Sequence, residues 1–184
     1  MKKQDILENQ ANYAYLAIGS NLGKKIFNLI STKHKLSTNG INIVKSSSFY
    51  LTKSWPDSKF PDFINAVLFV RTYLSLTQLF KKIKVIEKSL GRVKTQKNYP
   101  RTCDIDIIDF NNSCKNIVHN GKKIITPHPR MHERNFTLIP LYEIKKNWIH
   151  PKNKQKIDIL IKKLNPKSIS DIKIYQSNGI IKYA

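Results

Sequence analysis

The run Phe63–Tyr73 constrains the fold of this chain more than any other segment. Phe63, Asn65, Val67 and Phe69 alternate with Ile64, Ala66, Leu68 and Val70, so both sides of an extended segment are apolar. Such a strand belongs in the middle of a sheet. Upstream, Tyr13–Ile18 suits a buried strand and ends in Gly19-Ser20-Asn21, where Ser20 or Asn21 can N-cap a helix. Leu22, Ile26, Phe27 and Ile30 then recur at helical spacing toward Leu36, Asn39-Gly40 turns the chain, and Ile41–Tyr50 reads as a second strand. Thr52–Pro61 is a loop. After the central strand, Ser75 and Gln78 form a capping box, and Leu76, Leu79, Phe80, Ile83, Ile86 and Leu90 make one apolar helix face that Gly91 ends.

A polar loop, 92–101, leads to a fourth strand, where Cys103 to Ile107 alternates apolar and acidic residues. The chain has only 12 acidic residues, yet Asp104, Asp106 and Asp109 fall within six positions. On a strand, Asp104 and Asp106 share one face while Cys103, Ile105 and Ile107 face the core. Paired carboxylates repel unless a cation sits between them, and hard oxygen ligands suit Mg²⁺, which completes its shell with water and phosphates. Arg101 can fork onto a phosphate. The alternative for the pair is a solvated edge face.

The element order predicts an α+β fold: a ferredoxin-like βαββαβ core with an antiparallel sheet, plus extra C-terminal elements. Beyond it lie a His/Pro/Arg loop (Pro127–Arg134), a short apolar run (Phe136–Leu141) and a helix near Ile157–Leu164. Ile172–Tyr175 and Ile180-Ile181 around Ser177-Asn178-Gly179 suggest a hairpin added to an edge. A single domain over 1–184 is expected, with its core at about 13–164 and an extension at 165–184. That length leaves no room for a second catalytic domain, so a fused bifunctional enzyme is not expected.

The net charge of +21 raises the question of nucleic acid. Of 33 basic residues, 28 are Lys spread over almost every segment, which describes a solvated surface. The five Arg are more telling: Arg92, Arg101, Arg130 and Arg134 flank or follow the Asp pair, and Arg71 stands apart. No apolar stretch is long enough for a bilayer, and the N-terminus lacks a signal-peptide core. Cys103 and Cys114 match neither a disulfide framework nor a zinc spacing. A cytoplasmic protein is expected. Neither a Gly-x-x-x-x-Gly-Lys-Ser/Thr loop nor a Gly-x-Gly-x-x-Gly turn is present, so ATP phosphates would have to be held by side chains and metal.

Five blocks stand in order along the chain. They are Ala17-Ile18-Gly19-Ser20-Asn21-Leu22-Gly23; Ser47-Ser48-Phe49-Tyr50 with Thr52; Pro61-Asp62-Phe63-Ile64-Asn65-Ala66-Val67; Glu87-x-x-Leu90-Gly91-Arg92 running to Pro100-Arg101-Thr102-x-Asp104-x-Asp106; and Pro127-His128-Pro129-Arg130-Met131-His132-Glu133-Arg134-x-Phe136-x-Leu138-x-Pro140-Leu141. With them, from about Tyr13 to Leu164, the chain resembles the 6-hydroxymethyl-7,8-dihydropterin pyrophosphokinase family of folate biosynthesis. The resemblance implies transfer of pyrophosphate from ATP to the 6-hydroxymethyl group of a reduced pterin, with release of AMP. It implies that Asp104 and Asp106 hold two Mg²⁺ ions, with Asp106 nearer the hydroxyl. Together with Arg92 and Arg101 they are the expected catalytic set. Glu87, Arg92, Lys94, Arg101, Lys123, His128 and Arg134 are expected to bind ATP, with Glu87 on the ribose. Thr52, Trp55, Phe63, Asn65 and Phe136 are expected to bind the pterin, with the two Phe stacking and Asn65 reading the ring edge.

Simpler roles stand beside these. Arg92 complements a helix C-terminus, a mid-helix Glu87 is exposed, and Asn21 caps the first helix rather than touching substrate. The chain departs from the family at Lys53-Ser54-Trp55-Pro56, where many members have Pro-x-Gly, at Asn98-Tyr99 in place of Trp-Gly, and at Lys94 in place of Arg. The expected partners are ATP and a reduced pterin, with no nucleic acid, no membrane and a monomeric state. A basic ferredoxin-like RNA-binding module and an inactive homologue are the rival readings.

Overall fold

The computed structural model describes residues 10–54, 59–93 and 99–175. In chain order these form β1 (Asn12–Ser20), α1 (Lys25–Thr38), β2 (Ile41–Ser46), β3 (Tyr50–Thr52), β4 (Phe63–Thr72), α2 (Leu76–Ser89) and β5 (Asp104–Phe110). Then follow β6 (Lys115–His119), β7 (Lys122–Thr126), a 3-10 turn at Met131–Glu133, α3 (Asn135–Ile144), α4 (Ile157–Lys162), α5 (Pro166–Ser170) and β8 (Lys173–Ile174). The main sheet runs β5-β1-β4-β3-β8 with β2 also on β4, and every pairing is antiparallel. The ferredoxin-like arrangement expected from the element order is therefore present, and β4 is central.

Both sides of β4 are covered, as its alternation requires. Ile64, Ala66, Leu68 and Val70 join Leu29, Leu36, Leu79, Ile83 and Ile86 in a core beneath α1 and α2. Val67 faces the other way and packs with Leu138, Leu141, Trp148, Ile157 and Leu160 from the C-terminal elements. Each fully buried Leu or Ile contributes roughly 1.5–3 kcal/mol of transfer free energy, so these two layers hold the sheet from both sides. The second layer covers only part of its face. Where it stops, the ends of β1, β4 and β5 are left for polar side chains.

Several local features differ from expectation. The strand read over 41–50 is two pieces, with a bulge between Ile43 and Lys45. At Ser47 the side chain replaces the backbone in the ladder: Val67 N–H donates to Ser47 Oγ at 2.9 Å, while Ser47 N–H donates to Val67 O at 2.9 Å. Helix α1 begins at Lys25 with no side-chain cap, so neither Ser20 nor Asn21 caps it. The apolar run at 136–141 is helical. Residues 115–126, for which the sequence reading gives no element, form a β6–β7 hairpin closed by Asn120 and Gly121 with φ of 48° and 70°. Their Asn-Gly pair is the signal that could have found it. Of the expected C-terminal hairpin, β8 pairs with Tyr50 and Leu51 at the sheet edge; its second arm lies outside the described residues. No helix among the described residues is long and apolar enough to cross a membrane.

Candidate active site

Three adjacent strands line up the centre of the site. Gly19 on β1 pairs with Asp104 on one side and Asn65 on the other, and Asn65 pairs in turn with Tyr50. Residues in one such row share a face. Gly19 is the gap between the carboxylate and the amide: a Cβ there would lie 2.7 Å from Asn65 Oδ1 and 3.4 Å from a Phe63 ring carbon. Asn65 is buried and donates through Nδ2 to Thr52 Oγ1 at 2.8 Å. Thr52, Lys53, Phe63, Asn65, Arg101, Asp104, Arg134 and Phe136 line a slot of about 60 Å³. Four of the five residues expected to bind a pterin thus stand together. The fifth, Trp55, lies outside the described residues.

Cations surround the Asp pair. Asp104, 26% exposed, meets Arg92 Nη1 at 2.6 Å and Arg101 Nη1 at 3.5 Å. Asp106, 33% exposed, meets Arg134 Nη1 at 3.0 Å and His128 Nε2 at 3.8 Å. Burial pushes the Asp106 carboxyl up, but the charges of His128, Arg134 and Lys84 outweigh it and hold the pKa below the ordinary value of 3.8. Burial likewise dominates at His128, lowering its pKa from 6.5 despite the pull of Asp106. Arg130 N–H donates to His128 Nδ1 at 3.2 Å, which leaves the Nε2 proton for the Asp106 side. For Arg92, burial is the largest single influence and lowers the pKa, but the Asp104 and Glu87 carboxylates together outweigh it and raise the pKa above the ordinary guanidinium value.

Local structure places each of these cations. After α2 the N–H of Arg92 bonds Glu87 O and that of Gly91 bonds Lys88 O, a Schellman turn with Gly91 at φ 80°. Arg101 is held through its backbone: Arg101 N–H donates to Asn21 Oδ1 at 2.8 Å, and Asn21 N–H donates to Arg101 O at 3.1 Å. The Asn21 amide also donates to Pro61 O at 3.2 Å. Arg101 lies over the Phe63 ring at 5.8 Å and Arg134 over Phe136 at 5.4 Å. Arg101 Nε is buried with no hydrogen bond among the described residues, a donor still to be used.

A cleft of about 250 Å³ opens beside the pair, lined by Phe80, Lys84, Asp106, Lys123, His128 and Pro129 among others. Lys123 and His128, both expected to bind ATP, thus line one cleft with Asp106, and Lys84, which the sequence did not single out, lines it too. Glu87 departs from expectation. It is 2% exposed, and its carboxylate accepts from Lys84 Nζ at 2.8 Å, from Ile105 N–H at 2.9 Å and from Arg92. Neither an exposed helix residue nor a ribose contact fits that burial. Lys94 lies outside the described residues. Among the described residues no cluster of three or more His, Cys, Asp or Glu could hold a metal without help.

Residues 15–146 match the family described as 7,8-dihydro-6-hydroxymethylpterin-pyrophosphokinase. A 2-amino-4-hydroxy-6-hydroxymethyldihydropteridine pyrophosphokinase of Haemophilus influenzae is 35% identical over 162 residues, covering 83% of this chain and 98% of that protein. A folic acid synthesis protein of Pneumocystis carinii is 37% identical over 151 residues, covering 82% of this chain. The chain spans only 20% of the length of that protein and of a similar one from Dictyostelium discoideum. Among solved structures, an HPPK-DHPS of Plasmodium falciparum superposes with a TM-score of 0.70 at 16% identity, covering 92% of this chain and 48% of that one. That likeness is one of fold.

Proposed function

The chain belongs to the 7,8-dihydro-6-hydroxymethylpterin-pyrophosphokinase family, and on that footing we propose that it transfers pyrophosphate from ATP to 6-hydroxymethyl-7,8-dihydropterin. The pterin hydroxyl oxygen bonds to the β-phosphorus, the bond from that phosphorus to the α,β-bridging oxygen breaks, AMP leaves, and the hydroxyl proton passes to solvent. The observation that carries this reading is the single row placing Asp104 beside Asn65, with Phe63, Phe136, Arg101 and Arg134 around them.

Asn65, held by Thr52, reads the pterin edge while Phe63 and Phe136 sandwich the ring. Arg92, Arg101 and Arg134 now rest on the Asp pair and turn their forks to the phosphates, where Arg101 Nε finds its missing acceptor. His128 and Lys123 line the phosphate side of the cleft. This orientation, with water excluded between clamp and ring, supplies much of the rate.

Two partly exposed carboxylates on one strand face fit Mg²⁺, which takes one or two protein carboxylates and draws its other ligands from phosphate and water. Asp104 and Asp106 would hold it as two ions. When bound it neutralises developing charge on the phosphates and lowers the pKa of a nearby hydroxyl, so no strong protein base is needed.

The test is AMP release from ATP with and without 6-hydroxymethyl-7,8-dihydropterin and Mg²⁺. Release that depends on both supports the reading. No release from folded protein, or salt-dependent RNA binding in its place, overturns it.

A further inference from the structure

We propose that Glu87 is the positioning residue of the Asp pair, acting from beneath it rather than touching the nucleotide. The inference rests on the proposed function for its chemical meaning, and on the fold alone for its geometry. Among the described residues β5 is the edge of the main sheet, so the N–H groups along its outer side meet no strand there. The outward N–H of Ile105 lies between Asp104 and Asp106, and the Glu87 carboxylate takes the place of the missing strand at 2.9 Å. The same carboxylate holds Arg92, which reaches on to Asp104 at 2.6 Å, and Lys84, which lines the cleft beside Asp106. One buried anion thus fixes the backbone between the two acids and a cation on either flank. Lys84 becomes a further cation facing the nucleotide cleft, parked on Glu87.

Position 87 could play this part because the α2 face carries it inward. Phe80, Ile83, Glu87 and Leu90 recur at three- and four-residue intervals, and Glu87 replaces an apolar residue on that stripe. A buried carboxylate there is costly unless it is well hydrogen-bonded, and three donors reach it.

The experiment compares wild type with Glu87→Gln and Glu87→Ala in the full chain. Mn²⁺ binding is followed by its electron paramagnetic resonance in the presence of α,β-methylene-ATP, which the reaction cannot cleave. Amide exchange is read at Ile105, and kcat/KM is measured for ATP against 2′-deoxy- and 3′-deoxy-ATP. Loss of such a supporting partner is expected to weaken Mn²⁺ binding about 10-fold or more in Glu87→Ala. Ile105 exchange should quicken in that variant. In Glu87→Gln, whose amide oxygen still accepts from Ile105, exchange should stay slow while Mn²⁺ binding weakens by a smaller factor. The preference for ATP over the deoxy nucleotides should be the same in all three proteins.

Mn²⁺ affinity and Ile105 exchange unchanged in a folded Glu87→Ala would overturn the inference. A collapse of the ribose preference in either variant would overturn it too, since Glu87 would then touch the sugar. If Glu87→Ala does not fold, Glu87→Gln alone decides, through Mn²⁺ affinity. If wild type releases no AMP, the proposed function fails while the exchange and Mn²⁺ arms still judge Glu87.

Discussion

The two ends of β5 treat the same side chain in opposite ways. At the open end, Asp106 is ringed by Arg134, His128 and Lys84, and its pKa is held below 3.8. At the closed end, Asp109 is 2% exposed beneath the C-terminal layer, and Trp148 Nε1 donates to its Oδ2 at 2.9 Å. Burial there raises the Asp109 carboxyl above 3.8, against the indole and the amides of Asn112 and Phe110, and the same carboxyl helps push Tyr15 up to about 12. Strict alternation would put Asp109 on the face of Ile105 and Ile107; a register shift opposite Tyr15 and Leu16 returns it to the face of Asp104 and Asp106, farther along the strand and under Trp148. Spacing along a strand therefore does not make three carboxylates equivalent. What surrounds each one decides whether it is a charged ligand or part of a packed layer.

Removing both acids at the open end should break the difference most visibly. Asp104→Ala/Asp106→Ala is expected to lose pterin-dependent AMP release by a factor on the order of 10³, while circular dichroism shows it folded. Activity within tenfold of wild type would mean that these carboxylates do no more than Asp109 does. Next in size is Gly19→Ala. Its Cβ meets an Asn65 side chain already fixed by Thr52, so the amide must turn away from the slot. The KM for the pterin should rise about 10-fold or more with that for ATP nearly unchanged, and overpacking should cost about 1–3 kcal/mol in urea unfolding.

The closed end predicts the opposite behaviour. Asp109→Asn keeps an acceptor for Trp148 and removes a carboxyl that burial disfavours, so activity should hold and the urea midpoint at pH 7 should rise. A raised folded pKa means that the folded protein binds more protons between 3.8 and that value, so stability falls as pH rises through the window. The gain from Asp109→Asn should accordingly shrink toward pH 4. Asp106 has the reverse sign: its contribution is present above 3.8 and is lost as pH falls below it. The smallest effect belongs to His150, packed edge-on to Trp148 at 5.6 Å. Its pKa is lowered from 6.5 by burial first and then by His132 and Lys152, so its contribution is complete above 6.5 and fades in acid. The drop in Tm from pH 7 to 5.5 should be shallower in His150→Asn than in wild type.

The fold was legible where periodicity was strong. β4, α2 with its capping box, and the alternation of Asp104 and Asp106 against Ile105 follow from local spacing. The site was legible through its blocks, which named Phe63, Asn65, Arg101, Arg134 and Phe136. What stayed hidden was long-range. Asn21 looks like a cap because nothing near it reveals a hydrogen bond to Arg101, 80 residues away. Ser47 looks like strand until Val67 claims its hydroxyl, and the Ser48 and Tyr50 hydroxyls serve Glu143, more than 90 residues on. Glu87 is the instructive miss. Its place on the apolar stripe of α2 was readable, but its charge drew attention to solvent and ligand instead of the core.

The Asp104–Gly19–Asn65 row also acts as a ruler. Its two ends lie two interstrand steps apart, roughly 9–10 Å, a spacing set by backbone hydrogen bonds and indifferent to side-chain identity. The separation between the Asp104 and Asn65 positions is thus a lattice constant of the sheet. Sequence elsewhere in the chain is free to drift without rescaling it.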